Sequence, residues 1–241
     1  MRIAVLSDIH GNLAAFDAVL IDLGKTSPDL IIHGGDLADA GSSPVEIVDK
    51  IRELGWKGVL GNTDQMLVQP WTLDTFASTS NAPRFIWEKI REMAVITRTR
   101  LGDDRLRWLS ELPMVFSTSD ASIVHGSPGD CWRAPGPETT EAEYYRTYSR
   151  LGTPTVIFGH IHRPFVRNLA GIPQAVINSG SVGLPYDGDR RASYLLLDDD
   201  QPSIRRIEYD IEKEIKALSA SGLPGADWTV RVLRTGTPQM P

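Results

Sequence analysis

Short apolar runs and segments of helical spacing alternate along the first third of the chain. Arg2–Ser7 carries Ile3, Ala4, Val5 and Leu6 before it turns polar, which predicts a buried strand. Asn12–Leu23 sets apolar side chains at Leu13, Phe16, Leu20 and Leu23, the spacing of one helix face, with Asn12 in position to cap it. Leu30–Ile32 is a second buried run and ends at His33-Gly34-Gly35-Asp36. Pro44–Leu54 reads as a helix with proline in its first turn, and Gly58–Leu60 as a third run that ends at Gly61-Asn62. Strand, turn and helix in repeated order predict parallel strands joined by crossover helices.

The pattern then changes. Thr63–Leu112 is mostly helical and, together with Trp56, holds four of the six tryptophans. It is a candidate helical cap beside the sheet, although its aromatics are read first as core packing. From Met114 onward strand-like runs dominate: Met114–Ser117, Ser122–Val124, Val156–Phe158, Phe165–Asn168, Ala175–Ile177, Tyr194–Leu197 and Ile204–Ile207, interrupted by one helical stretch, Glu138–Leu151. A parallel half followed by a largely antiparallel half predicts an α/β fold of two sheets packed face to face, with helices outside. Residues 1–220 read as a single domain, with 63–112 as the cap within it and 221–241 as a peripheral C-terminal tail.

Composition removes several classes of function. No stretch approaches the roughly 18 apolar residues of a membrane span, and the first apolar run is only a strand long with no small-residue cleavage site behind it, so no signal peptide is expected. One cysteine, Cys131, excludes an intramolecular disulfide framework and fits a reducing cytoplasm. With 25 Lys and Arg against 31 Asp and Glu, the net charge of −6 counts against a nucleic-acid binder that works by bulk electrostatics, although it leaves room for a local cationic cleft.

Five points along the chain share one design, in which an apolar run ends in residues of metal-ligand type. They are Asp8-Ile9-His10, Gly35-Asp36, Gly61-Asn62, His125-Gly126 and Gly159-His160-Ile161-His162. Asp8 and His10 are two residues apart, as are His160 and His162, and in extended backbone such pairs point to one side. The donors are carboxylate, imidazole and one amide, with no thiolate, which favours divalent ions such as manganese, iron or zinc. Seven donors exceed what one catalytic ion with an open position needs and suit two ions that share a carboxylate.

In order and spacing these motifs resemble those of the calcineurin-like metallophosphoesterase superfamily, and the Ser179-Gly180-Ser181-Val182-Gly183 turn resembles that of its small bacterial, phosphodiesterase-type members. The resemblance implies a four-layer α/β/β/α sandwich of two mixed sheets with flanking helices that hydrolyses phosphodiester or phosphoanhydride bonds with a metal-bridging hydroxide. It implies that Asp8, His10 and His162 hold one ion, that Asn62, His125 and His160 hold the other, and that Asp36 bridges. The cofactors expected are two divalent ions (Mn, Fe, Zn, Ni or Co). The expected partner is a phosphate-containing small molecule such as a nucleotide, with no role for a membrane or a nucleic acid; the residues do not set an oligomeric state. Two cations of +2 against Asp8, Asp36 and a hydroxide leave the cleft net positive although the chain is acidic.

One position departs from the family pattern. Many relatives read Gly-Asn-His at the third motif, where the histidine is assigned to protonate the leaving group; this chain reads Gly61-Asn62-Thr63-Asp64. A general acid contributes roughly 10²–10⁴-fold, so its loss predicts a preference for acidic leaving groups over alkyl monoesters, unless Asp64 donates the proton. The catalytic set expected is therefore Asp36, Asn62, Asp64 and His125. Alternatives are a serine/threonine protein phosphatase and a non-catalytic metal-binding scaffold of the same fold. Among other residues, Arg163 is the best placed of the arginines to grip phosphate. Tyr144, Tyr145 and Tyr148, three and four apart on a helix, are read as packing before base stacking, and His33 as a strand-end residue.

Overall fold

The structure, a computed structural model, describes residues 1–241. In chain order it consists of β1 (Arg2–Leu6), α1 (Leu13–Thr26), β2 (Leu30–His33), α2 (Pro44–Leu54), β3 (Lys57–Gly58), α3 (Asn62–Val68), α4 (Trp71–Thr79), α5 (Arg84–Ser110), β4 (Val115–Ser117), β5 (Ala121–Val124), α6 (Glu141–Tyr148), β6 (Thr155–Phe158), β7 (Phe165–Asn168), β8 (Ala175–Asn178), β9 (Ala192–Asp198), β10 (Gln201–Ile207), α7 (Ile211–Ala220) and α8 (Ala226–Thr235).

Alternation along the strands builds the layers. On β1, Ile3 and Val5 face a seam with Ile32, Val59, Ile123, Ile157, Ile177 and Leu195, residues contributed by both sheets. Ala4 and Leu6 face the other way, against Phe16 and Val19 of α1 and Ile47 and Ile51 of α2. On the far side, Val124, Val156, Phe158 and Val176 pack under Tyr144 and Tyr148 of α6. Both tyrosines are fully buried and donate their hydroxyls to Gly136 O and Gly126 O, so they are core residues. The result is helices, sheet, sheet, helix, with β-branched side chains filling the seam.

Each sheet has five strands and is mixed. The first has the order β10-β9-β1-β2-β3, with β1, β2 and β3 parallel; the second has the order β4-β5-β6-β8-β7, with β5, β6 and β8 parallel. Along the chain the first three strands pair in parallel, and among the later strands the antiparallel pairs β4-β5, β7-β8 and β9-β10 outnumber the parallel pairs β5-β6 and β6-β8, as expected. β9 and β10 return as a hairpin to the first sheet, where Val5 pairs with Leu195. β9 is buried on both faces, with Ala192 and Tyr194 against the helix layer and Leu195 and Leu197 in the seam between the sheets. The segment 63–112 is helical, as α3, α4 and α5; α5 breaks at Gly102, whose φ of 68° and ψ of 170° suit glycine alone. No helix is long and apolar enough to cross a membrane.

Candidate metal centre

The parallel strands of both sheets end at one edge, and the loops that leave them carry the polar residues. The backbone there is under unusual constraint. Asp8, His10, Asp36, His160 and His162 all have positive φ, between 50° and 67°. Non-glycine residues rarely adopt that left-handed region, and they persist in it when the surrounding structure over-determines them. These pairs are thus aligned by tight turns and not, as the spacing suggested, by extended backbone. Gly61 permits a further close approach, since a Cβ there would lie 2.1 Å from Asp36 Oδ1.

All seven residues converge. Asp8, His10, Asp36 and His162 are buried and offer donor atoms that lie within 4.8 Å of one another. Asp8 Oδ1 is 3.1 Å from His162 Nε2, and His10 Nε2 is 3.3 Å from His162 Nε2. Beside this group, Asn62 Oδ1 lies 2.9 Å from His125 Nε2 and 2.8 Å from His160 Nδ1. Asp36 stands between the two groups: its Oδ2 is 3.6 Å from His10 Nε2 and 3.5 Å from His125 Nε2.

Backbone carbonyls set the tautomers. Asp39 O, Leu184 O and Gly34 O accept from Nδ1–H of His10, His162 and His125, which leaves each Nε2 as a donor pair directed at the cluster. Two such nitrogens at 3.3 Å repel each other unless a cation or a proton lies between them, and burial holds the His10 imidazole below its ordinary pKa. The donor set therefore fits a divalent metal ion. Electrostatics agree. Burial opposes ionisation of Asp8, yet His162, His125 and His10 hold its carboxyl well below the usual range. Burial and then His125 push His160 down to about 4, whereas Asp36 and Asp8 outweigh burial and raise His125.

Asp64 faces away from the donor atoms. Its Oδ2 accepts from Asp36 N at 2.8 Å and Gly61 N at 3.3 Å, and its Oδ1 from Leu37 N at 3.0 Å. It pins the loop that carries Asp36, with Thr63 N donating to Asp36 Oδ1 at 2.8 Å. Burial, and then the charge of Asp36, push the Asp64 carboxyl up to about 7 against those amide donors. His33 lies buried in β2 with neither ring nitrogen hydrogen-bonded. Arg163 is turned to Tyr186 O, and Arg191 is paired with Asp189.

A cavity of about 280 Å³ opens beside His10, Asn62 and His160. Its walls were not apparent from the sequence: Met66 of α3, Phe76 of α4, Trp87 of α5 and the loop residues Trp132 and Tyr186. Phe76 stacks on Trp132 at 5.0 Å and meets Trp87 edge-on at 5.6 Å. Tyr186 stacks on the His162 ring at 4.3 Å. The tail segment 221–241 contains α8, and its Trp228, Thr229 and Val232 also line the cavity.

Comparison with known proteins agrees with this arrangement. Residues 1–201 match the model of the calcineurin-like phosphoesterase superfamily domain. The uncharacterized protein MJ0912 of Methanocaldococcus jannaschii is 30% identical over 243 residues, covering 92% of this chain and 93% of that protein. A metallophosphoesterase from Sphaerobacter thermophilus superposes with a TM-score of 0.78 at 28% identity, covering 98% of this chain and all of its own. The hypothetical protein PH1004 from Pyrococcus horikoshii shares the fold, with a TM-score of 0.84 at 19% identity over 99% of both chains.

Proposed function

Because the chain belongs to the calcineurin-like phosphoesterase superfamily, we propose that it is a two-metal phosphoester hydrolase acting on phosphodiesters or phosphoanhydrides in preference to alkyl monoesters. Asp8, His10 and His162 would hold one ion and Asn62, His125 and His160 the other, with Asp36 shared. The observation that carries this assignment is the position of Asp36 Oδ2, 3.6 Å from a histidine of one group and 3.5 Å from a histidine of the other. When bound, divalent ions supply Lewis acidity toward phosphoryl oxygens, a positive field for the anion, and water at a pKa near 7 in place of about 15.7. Oxygen and imidazole donors without thiolate support manganese(II), with iron, zinc, nickel and cobalt as alternatives. The single cysteine, Cys131, is buried and unpaired, which supports a cytoplasmic setting.

The chain's own residues position and exclude. The carbonyls of Asp39, Leu184 and Gly34 hold three imidazoles in their donor tautomers, and the Asp64 carboxylate holds the Asp36 loop through backbone amides. No side chain at the third motif is suited to protonate a departing alkoxide. The Thr63 hydroxyl is buried without a partner and is not acidic near neutral pH, while Asp64, although burial pushes it up to about 7, turns both oxygens to backbone N–H groups of the Asp36 and Gly61 loops and presents none to the donor cluster. Esters whose leaving groups depart without a proton should therefore react best. The test is the dependence of kcat/KM on leaving-group pKa across aryl and alkyl diesters. A steep fall with rising pKa is expected; a flat dependence would show that some group donates a proton and would remove the basis for the substrate preference.

A further inference from the structure

The cavity beside the metal ligands has a chemistry of its own. It joins the site directly, because His10, Asn62 and His160 are part of its lining. Most of the rest is aromatic and aliphatic, from Phe76, Trp87, Trp132 and Trp228 among others, and no lysine or arginine contributes. The nearby Arg133 is paired with Asp130 at 3.0 Å, stacks on Phe76 at 5.1 Å and lines a separate surface depression. The charged side chain besides the ligands is Asp39, a buried carboxylate that accepts from Thr97 Oγ1 at 2.7 Å. Trp87 Nε1 and Thr63 Oγ1 are buried without partners in the protein, so the wall carries uncommitted neutral donors and no cation.

An anion carried away from the ligands into this cavity would be desolvated against apolar walls, with the Asp39 carboxylate nearby and no cationic side chain in the wall to offset it, which is costly. An uncharged organic group would instead lose apolar surface to water and stack on the rings. We propose that the cavity receives the uncharged, aryl or branched apolar ester group of the substrate, so that the substrate class is a phosphodiester of such an alcohol and excludes polyphosphate chains. This inference rests on the phosphoesterase assignment above. The commitment of α8 to the lining makes the C-terminal segment part of specificity.

The test uses 1-naphthol, which carries the aryl group without phosphate, and inorganic tripolyphosphate. In calorimetry on the metal-free full chain, 1-naphthol should bind saturably, and tripolyphosphate should not displace it. With manganese present, 1-naphthol should inhibit bis(4-nitrophenyl) phosphate hydrolysis competitively. Thr229→Arg, which adds bulk and charge to the wall, should raise both the calorimetric Kd and the inhibition constant roughly tenfold or more. Phe76→Ala, at a half-buried position on a short helix, should do the same if the arginine variant does not fold. Turnover without 1-naphthol binding, or with non-competitive inhibition, overturns the inference and leaves the phosphoesterase assignment intact. Binding of 1-naphthol with no turnover of any diester, whatever the metal, overturns the phosphoesterase assignment and the substrate class with it.

Discussion

The floor of the site consists of seven polar side chains that leave strand ends of both sheets, whereas the wall beside it draws apolar side chains from α3, α4, α5, α8 and three loops. The floor is over-determined. Five of its residues sit in left-handed backbone, three imidazoles are tied to carbonyls, and a carboxylate with no role among the donors pins the Asp36 loop through three amides. The wall is held mainly by dispersion and ring stacking, with single hydrogen bonds from Trp132 Nε1 to Gln65 Oε1 and from Trp228 Nε1 to Gln239 O, and apart from Tyr186, which stacks on His162, its residues can change in size and shape without moving the donors. The difference teaches that chemistry and specificity are separable here: the floor sets the reaction and the wall sets what the ester carries.

The largest effect should come from the point shared by both halves of the floor. Asp36→Asn should lower kcat/KM by more than the roughly 10–100-fold typical of outer partners, with bound metal measured by atomic absorption falling in step. Full activity in that variant would contradict the shared role. Asp64→Asn should fall within that roughly 10–100-fold range, through weaker metal retention. Its leaving-group dependence should match that of the parent; a steeper one would make Asp64 the proton donor.

A stability change sharpens the contrast from below. His33 shares β2 with the Asp36 loop, yet burial pushes it down to about 3 and nothing bonds its ring. Its ordinary value is about 6.5, so over that interval the unfolded chain takes up a proton that the folded chain refuses. The contribution of neutral His33 is therefore complete above pH ~6.5 and is lost as the pH falls toward 3. Between pH 7 and pH 5 the loss is about 2 kcal/mol. His33→Leu should shrink the difference between urea midpoints at those two pH values; an unchanged difference would refute the burial account. The smallest effect belongs to the wall. Phe76→Ala should raise KM for an aryl diester roughly tenfold while kcat moves little, and a collapse of kcat would mean that wall and floor are coupled.

The same contrast explains what could be read from the sequence. Asp8, His10, Asp36, Asn62, His125, His160 and His162 stand out because metal-ligand types recur where apolar runs stop, and their order along the chain is itself informative. The two-sheet α/β architecture was legible for the same reason, since buried runs and helical spacing alternate cleanly. The placement of β9 and β10 was not, because a strand apolar on both faces says that it lies between two layers but not in which sheet or beside which strand. The left-handed turns escaped notice because Asp-x-His spacing is compatible with extended backbone as well. The wall escaped because Phe76, Trp87, Trp132 and Trp228 carry no spacing that separates a cavity lining from a core, and only the packing of helices distant in sequence brings them together.

Anomalous diffraction from crystals soaked in manganese would show whether the donors hold a pair of ions. Two peaks are expected, one ligated by Asp8, His10 and His162 and the other by Asn62, His125 and His160, with Asp36 contacting both. A single ion, or ions bound away from Asp36, would contradict the two-metal assignment.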